Sequence, residues 1–166
     1  MRRFIAGFVL CLVVLPVSAY LYIRAGRMPV ATSAPPLPFE RFLAETALHA
    51  RIAKEMPTTV PIAADEANLA AGGRIYRENC AFCHGLPDHP STAAAKGMYP
   101  GPPQLFIMTV TDDPPGQTFW KVTNGIRLTG MPGFSASLST EQRWQVSLLL
   151  ANADKLSPAI LAALKQ

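Results

Sequence analysis

Residues 79–85 of the chain read Asn79-Cys80-Ala81-Phe82-Cys83-His84-Gly85. Two thiols three residues apart lie on one side of a helical turn, and the imidazole that follows projects beside the same turn. Few chemistries use such a trio. A structural zinc site wants a second pair of ligands, and the only other cysteine, Cys11, sits in a long apolar run. A thioredoxin-like redox pair wants a βαβ setting, which the surrounding sequence does not offer. A plain disulfide leaves His84 unused.

The sequence downstream separates what is left. Residues 85–138 are 54 positions with eight prolines and seven glycines, so loops outweigh regular structure. A domain of about 100 residues built this way lacks the apolar area for a core of its own. It needs a large prosthetic group to pack against, and C-x-x-C-H is the run that attaches haem c covalently. Cys80 and Cys83 would reach the two vinyl groups on one haem edge, and His84 would turn its imidazole toward the iron.

Outward from this run, Asp65 is a candidate N-cap for a helix on which Leu69, Gly72, Gly73 and Tyr76 share a face. Ser139-Thr140-Glu141-Gln142 has the spacing of a capping box, opening a helix through Trp144 and Leu148 to about Asn152. Residues 117–124 read as a short helix stopped at Gly125, and residues 157–166 as a last, frayed one. Residues 39–56 contain no Gly or Pro and read as a helix closed by Pro57. That helix is either a spacer packed on the following domain or a docking element for a partner. Pro-containing links at 28–38 and 57–63 flank it. The expected organisation is an N-terminal signal anchor over 1–27, a linker with one helix over 28–63, and a haem domain over 64–166.

The 166 residues are 49% hydrophobic and 16% charged, with a formal net charge of +4. Arg2, Arg3, Arg24 and Arg27 carry that excess; beyond residue 27 the 11 remaining basic residues balance the 11 acids. The body therefore offers no basic stripe, and nucleic acid is excluded as a partner. Residues 4–23 are free of charge and long enough, at ~1.5 Å per residue, to cross roughly 30 Å of hydrocarbon. Their length favours an uncleaved single-pass anchor; Val17-Ser18-Ala19 leaves open the alternative of signal cleavage and a soluble periplasmic product. Arg2 and Arg3 beside the N-terminus favour the cytoplasmic side for that end, which places the body on the periplasmic face of the inner membrane. Cys11, within the run, reads as a buried apolar thiol.

Residues 67–85 (Ala-Asn-Leu-Ala-Ala-Gly-Gly-Arg-Ile-Tyr-Arg-Glu-Asn-Cys-Ala-Phe-Cys-His-Gly) resemble the start of a bacterial class I cytochrome c domain. The likeness runs over about residues 64–154, including Gly130-Met131-Pro132 and the closing helix. It implies an all-α class I cytochrome c fold, three to five helices wrapped around a covalently bound haem, here preceded by the membrane helix. It also implies that Gly72 and Tyr76 on the first helix meet Trp144 and Leu148 on the last.

From the residues alone, the sixth iron ligand is open among Met98, Met108 and Met131, with His89 as an outsider that reads most simply as a solvated loop residue, as does His49 on its helix. Resemblance to the family's Gly-Met-Pro motif selects Met131. It implies further that the second ring nitrogen of His84 is anchored on a proline carbonyl two residues before a leucine, Pro103 with Leu105, although the doubled Pro102-Pro103 leaves the choice between them open. Buried propionates need donors, and Trp120, Asn124 and Arg127 are candidates. Core packing is the other reading of Trp120, and an exposed charge the other reading of Arg127.

The expected function is single-electron transfer through haem c with His84 and Met131 as axial ligands. No side chain is asked to perform acid–base chemistry, so the chain reads as an electron carrier serving redox protein partners. Zero net charge in the body argues against docking by a ring of lysines. One alternative is a haem subunit of a larger respiratory or dehydrogenase complex, with the helix over 39–56 as its docking element. Another is a sensor or peroxidase with an open sixth site, for which the sequence shows no distal His/Arg pair.

Overall fold

In the computed structural model, which describes residues 1–107 and 110–165, the regular elements among the described residues are all helical. The chain divides into two compact units, Met1–Pro38 and Phe39–Gln166. The first holds α1 (Arg2–Arg24), whose 23 residues extend about 34 Å at ~1.5 Å per residue. Its mean hydropathy reaches 2.5, long and apolar enough to cross a membrane. Arginines stand only at its ends, and Pro16 is accommodated within it.

The second unit contains α2 (Glu40–Glu55), α3 (Glu66–Asn79), α4 (Ala81–His84), α5 (Ala93–Lys96), a 3-10 turn at Val110–Asp112, α6 (Pro115–Asn124), α7 (Thr140–Ala151) and α8 (Pro158–Lys165). Local chemistry sets the ends of the two main helices. Asp65 Oδ1 accepts the Asn68 amide at 2.9 Å and opens α3. At α7 the Ser139 hydroxyl accepts from the Gln142 amide at 3.1 Å, and the Gln142 side chain accepts from the Ser139 amide at 2.8 Å.

Helices α3 and α7 cross at Gly72. A Cβ there would strike the Gln145 carbonyl oxygen and press on Leu149 Cβ, so only glycine lets the two backbones come this close. The resemblance implied Trp144 and Leu148 as the partners on α7; at Gly72 the contact falls one residue further on, at Gln145 and Leu149. Trp144 instead stacks on Phe119 of α6, centroids 4.2 Å apart, and Tyr76 meets Phe106 edge-on at 5.0 Å. Leu69, Tyr76, Val122, Val146, Leu149 and Leu150 form the centre of the core.

Two further helices close this core. The C-terminal α8, expected to fray, lays Ile160 and Leu164 against Gly73, each buried side chain worth ~1.5–3 kcal/mol. Arg77 Nη1 donates to the Ala163 carbonyl at 2.9 Å, and the Ser157 hydroxyl to the Glu66 carboxylate at 2.6 Å. Helix α2, assigned from sequence to the linker over 28–63, belongs to the second compact unit and packs on α6. Ile52 is buried to 2% exposure, the Pro57 carbonyl seats on Gly116, and Trp120 Nε1 donates to Glu55 Oε2 at 3.1 Å.

Candidate functional site

Cys80 ends α3 and caps α4, a single turn that carries Cys83 and His84. Gly85 stops it at φ 72°, where a Cβ would run into Gln104 Oε1 and the His89 carbonyl. From α3 the Tyr76 hydroxyl donates to the Gly85 carbonyl at 2.8 Å and ties the turn down. The C-x-x-C-H run is thus gripped from both ends by the core.

His84 Nδ1 lies 2.8 Å from the carbonyl oxygen of Pro103, the second of the paired prolines. A carbonyl only accepts, so Nδ1 carries the hydrogen and Nε2 keeps its lone pair. Burial pushes the imidazole below its usual range, with the Pro103 bond opposing, which favours the neutral, ligating form. The Cys80 thiol is pushed up to about 12, first by burial and then by the neighbouring Cys83.

A cavity of about 400 Å³ opens beside this turn, lined by Cys80, Cys83 and His84 together with Met98, Pro103, Leu105, Val122, Ile126, Met131, Val146 and Leu150. Its loops are held tightly. Gly125, at φ 66°, packs backbone to backbone on residues 131–133, and the Ile126 amide donates to the Met131 carbonyl at 3.1 Å. The Met131 amide in turn donates to Thr129 Oγ1 at 3.1 Å. Met98 lies against Gly130, where a Cβ would come within 2.8 Å of its sulfur. Met108, the third methionine considered, lies outside the described residues.

The structure therefore brings Cys80, Cys83, His84, Pro103 and Met131 to one cavity. It does not bring the three propionate-donor candidates there. The Trp120 indole is engaged with Glu55, and Arg127 is exposed away from the cavity lining. Asn124 turns back on its own helix, donating to the Trp120 carbonyl at 2.9 Å. His89 is exposed and bonded to Asp88 at 2.7 Å, which with this histidine holds the Asp88 carboxyl below the usual range. Conversely, Leu48 and His49 of α2 line the cavity, as do Asp112, Asp113 and Lys121. The apolar residues of α2 wrap around the helix in the sequence, and only the i, i+4 pair Leu48 and Ile52 marks the face that meets the domain.

These residues fit a haem. The cavity falls in the ~300–1,000 Å³ range of cofactor sites, its walls are mostly apolar, and both thiols are free. An imidazole with an available Nε2, and a methionine thioether from Met98 or Met131 across the same cavity, are donors suited to a haem iron. Among the described residues no group of three or more His, Cys, Asp or Glu side chains is placed to hold a bare ion.

Residues 67–148 match the family described as cytochrome C oxidase, cbb3-type, subunit III. A comparison with curated proteins found no match. The matched segment spans the C-x-x-C-H turn, the loops around the cavity and most of α7. Residues 67–148 are a c-type cytochrome domain, an electron carrier built around covalently bound haem c.

Proposed function

We propose that the chain is a membrane-anchored monohaem cytochrome c that passes single electrons on the outer face of the cytoplasmic membrane. Cys80 and Cys83 are the thioether attachment points, and His84 and Met131 the axial ligands. Residues 1–27 serve as anchor and 64–166 as the haem domain, with the intervening segment between them. The observation that carries this reading is the Pro103-anchored imidazole of His84 lining the same cavity as Met131. When bound, the haem supplies a one-electron Fe(III)/Fe(II) couple.

The chain's own residues do the rest. Pro103 fixes the orientation and raises the basicity of the His84 ring. The loop over 125–133, stiffened by Pro132 and by the close backbone packing at Gly125, holds the Met131 thioether at the cavity. Val122, Val146 and Leu150 present an apolar wall that keeps water away, and a low-dielectric surround tunes the potential. Arg2 and Arg3 orient α1 with its N-terminus in the cytoplasm.

The family description, which names an oxidase subunit, favours a second reading in which the same chemistry serves a larger membrane complex. One preparation tests both. Produced with haem maturation, the full chain should appear in the membrane fraction and keep its haem stain through denaturing electrophoresis. The Cys80→Ser, Cys83→Ser double variant should lose that stain; a wild-type chain that releases its haem overturns the reading. Co-purification of further subunits from native membranes would select the complex over the free carrier.

A further inference from the structure

Helix α2 lies outside the residues the family matches, yet it reaches the cavity. Leu48 and His49 line it, and α2 is fixed there by the burial of Ile52, the seating of Pro57 on Gly116 and the Trp120–Glu55 bond. The position of His49 is therefore set by packing of its helix. A haem carries two carboxylates, and a carboxylate brought against an apolar wall needs hydrogen-bond donors. Among the described residues the basic side chains lining the cavity are His49, His84 and Lys121.

Two of these three are already engaged. His84 is bound to Pro103, and Lys121 Nζ is paired with Asp113 at 2.9 Å, with Asp112 also lining the cavity. His49 makes no hydrogen bond or ion pair among the described residues. It is exposed while its neighbour Leu48 is half-buried, so its imidazole stands at the rim, where a carboxylate keeps part of its hydration. We propose that His49 is a propionate-binding residue of the haem c site and that α2 is a built-in wall of that site. This rests on the covalent-haem reading above.

An N–H donor on a propionate offsets part of its negative charge near the iron and so favours the ferrous state. Replacing His49 by Phe keeps the bulk and removes the donor; Gln keeps a donor. In the full-length holoprotein, His49→Phe should shift the propionate bending band in the resonance Raman spectrum. It should also move the Fe(III)/Fe(II) equilibrium about fivefold toward the oxidised form, ~40 mV at ~59 mV per tenfold change for one electron. His49→Gln should stay close to wild type in both.

A His49→Phe protein indistinguishable from wild type in band and potential overturns the proposal. So does a potential shift of equal size in both variants without movement of the band, which would report helix packing alone. Should His49→Phe fail to accumulate as holoprotein, His49→Ala read on the same band replaces it, with the same two outcomes. The haem stain of the wild type reports separately on the underlying reading: a chain without covalent haem sinks that reading, whereas a haem-loaded chain indifferent to residue 49 sinks only this one.

Discussion

The hydroxyl of Tyr76 donates to the carbonyl oxygen of Gly85 at 2.8 Å, joining the middle of α3 to the residue that ends the C-x-x-C-H turn. Tyr76 is fully buried, so nothing else can satisfy that carbonyl from its side. Tyr76→Phe should destabilise the domain by ~1–3 kcal/mol, read as a lower urea midpoint at unchanged slope.

The same burial holds the Tyr76 phenol above its usual value of 10.0. A group whose folded pKa is raised contributes stability that is fully present below its unfolded pKa and is lost as pH rises toward the folded one. Wild-type stability should therefore fall as pH climbs above 10, and Tyr76→Phe should fall less steeply over that window. Parallel slopes for the two proteins would refute the assignment.

Met131→Ala should abolish the weak long-wavelength band that a methionine sulfur gives with ferric haem, and should open the reduced protein to carbon monoxide. The wild type should bind carbon monoxide poorly. Survival of the band in the variant would transfer the ligand role to another methionine, Met98 being the other one seen at the cavity.

Two adjacent glycines of α3 should respond in opposite directions. At Gly72 a methyl group meets the Gln145 backbone, which cannot step aside, so Gly72→Ala should cost ~1–3 kcal/mol or more. At Gly73 the nearest atoms, on Ile160 and Leu164, lie 3.8 Å away, an ordinary contact. Gly73→Ala should be neutral or stabilising by up to ~1 kcal/mol through helix propensity. Thermal unfolding of the two variants side by side checks this.

Exported behind a substitute cleavable signal, a chain begun at Phe39 should leave the membrane fraction and keep its haem, because the second compact unit starts there. One begun at residue 64 should retain haem less well and unfold at lower urea, having lost the buried Ile52 and its seat on α6. Equal stability of the two truncations would remove α2 from the domain.

What could be read from the sequence was local. The Asp65 cap, the Ser139–Gln142 capping box and the Gly125 stop each depend on neighbours within three or four residues, and each forms where expected. The C-x-x-C-H run is equally local. Partners distant in sequence were not legible from the residues alone; Pro103 and Met131 were named through the resemblance. Glu55 takes the Trp120 indole from 65 positions away, and His49 comes to the cavity only because α2 docks through Ile52 and Pro57. The helix crossing shows the same limit: a glycine in α3 announces a close approach, but whether Leu148 or Leu149 answers it depends on the rotation of α7, set by Trp144 finding Phe119.

The bonds from Arg77 to Ala163 and from Ser157 to Glu66 join α3 to α8 and the residue that precedes it. One wall of the cavity, Val146 and Leu150, likewise comes from far downstream of the cysteines. During synthesis Cys80 and Cys83 emerge well before these segments. Until α7 and α8 follow, the two thiols stand on a turn whose enclosure has not yet been made, so the order of residues along the chain leaves an interval in which they are more open to modification than in the folded domain.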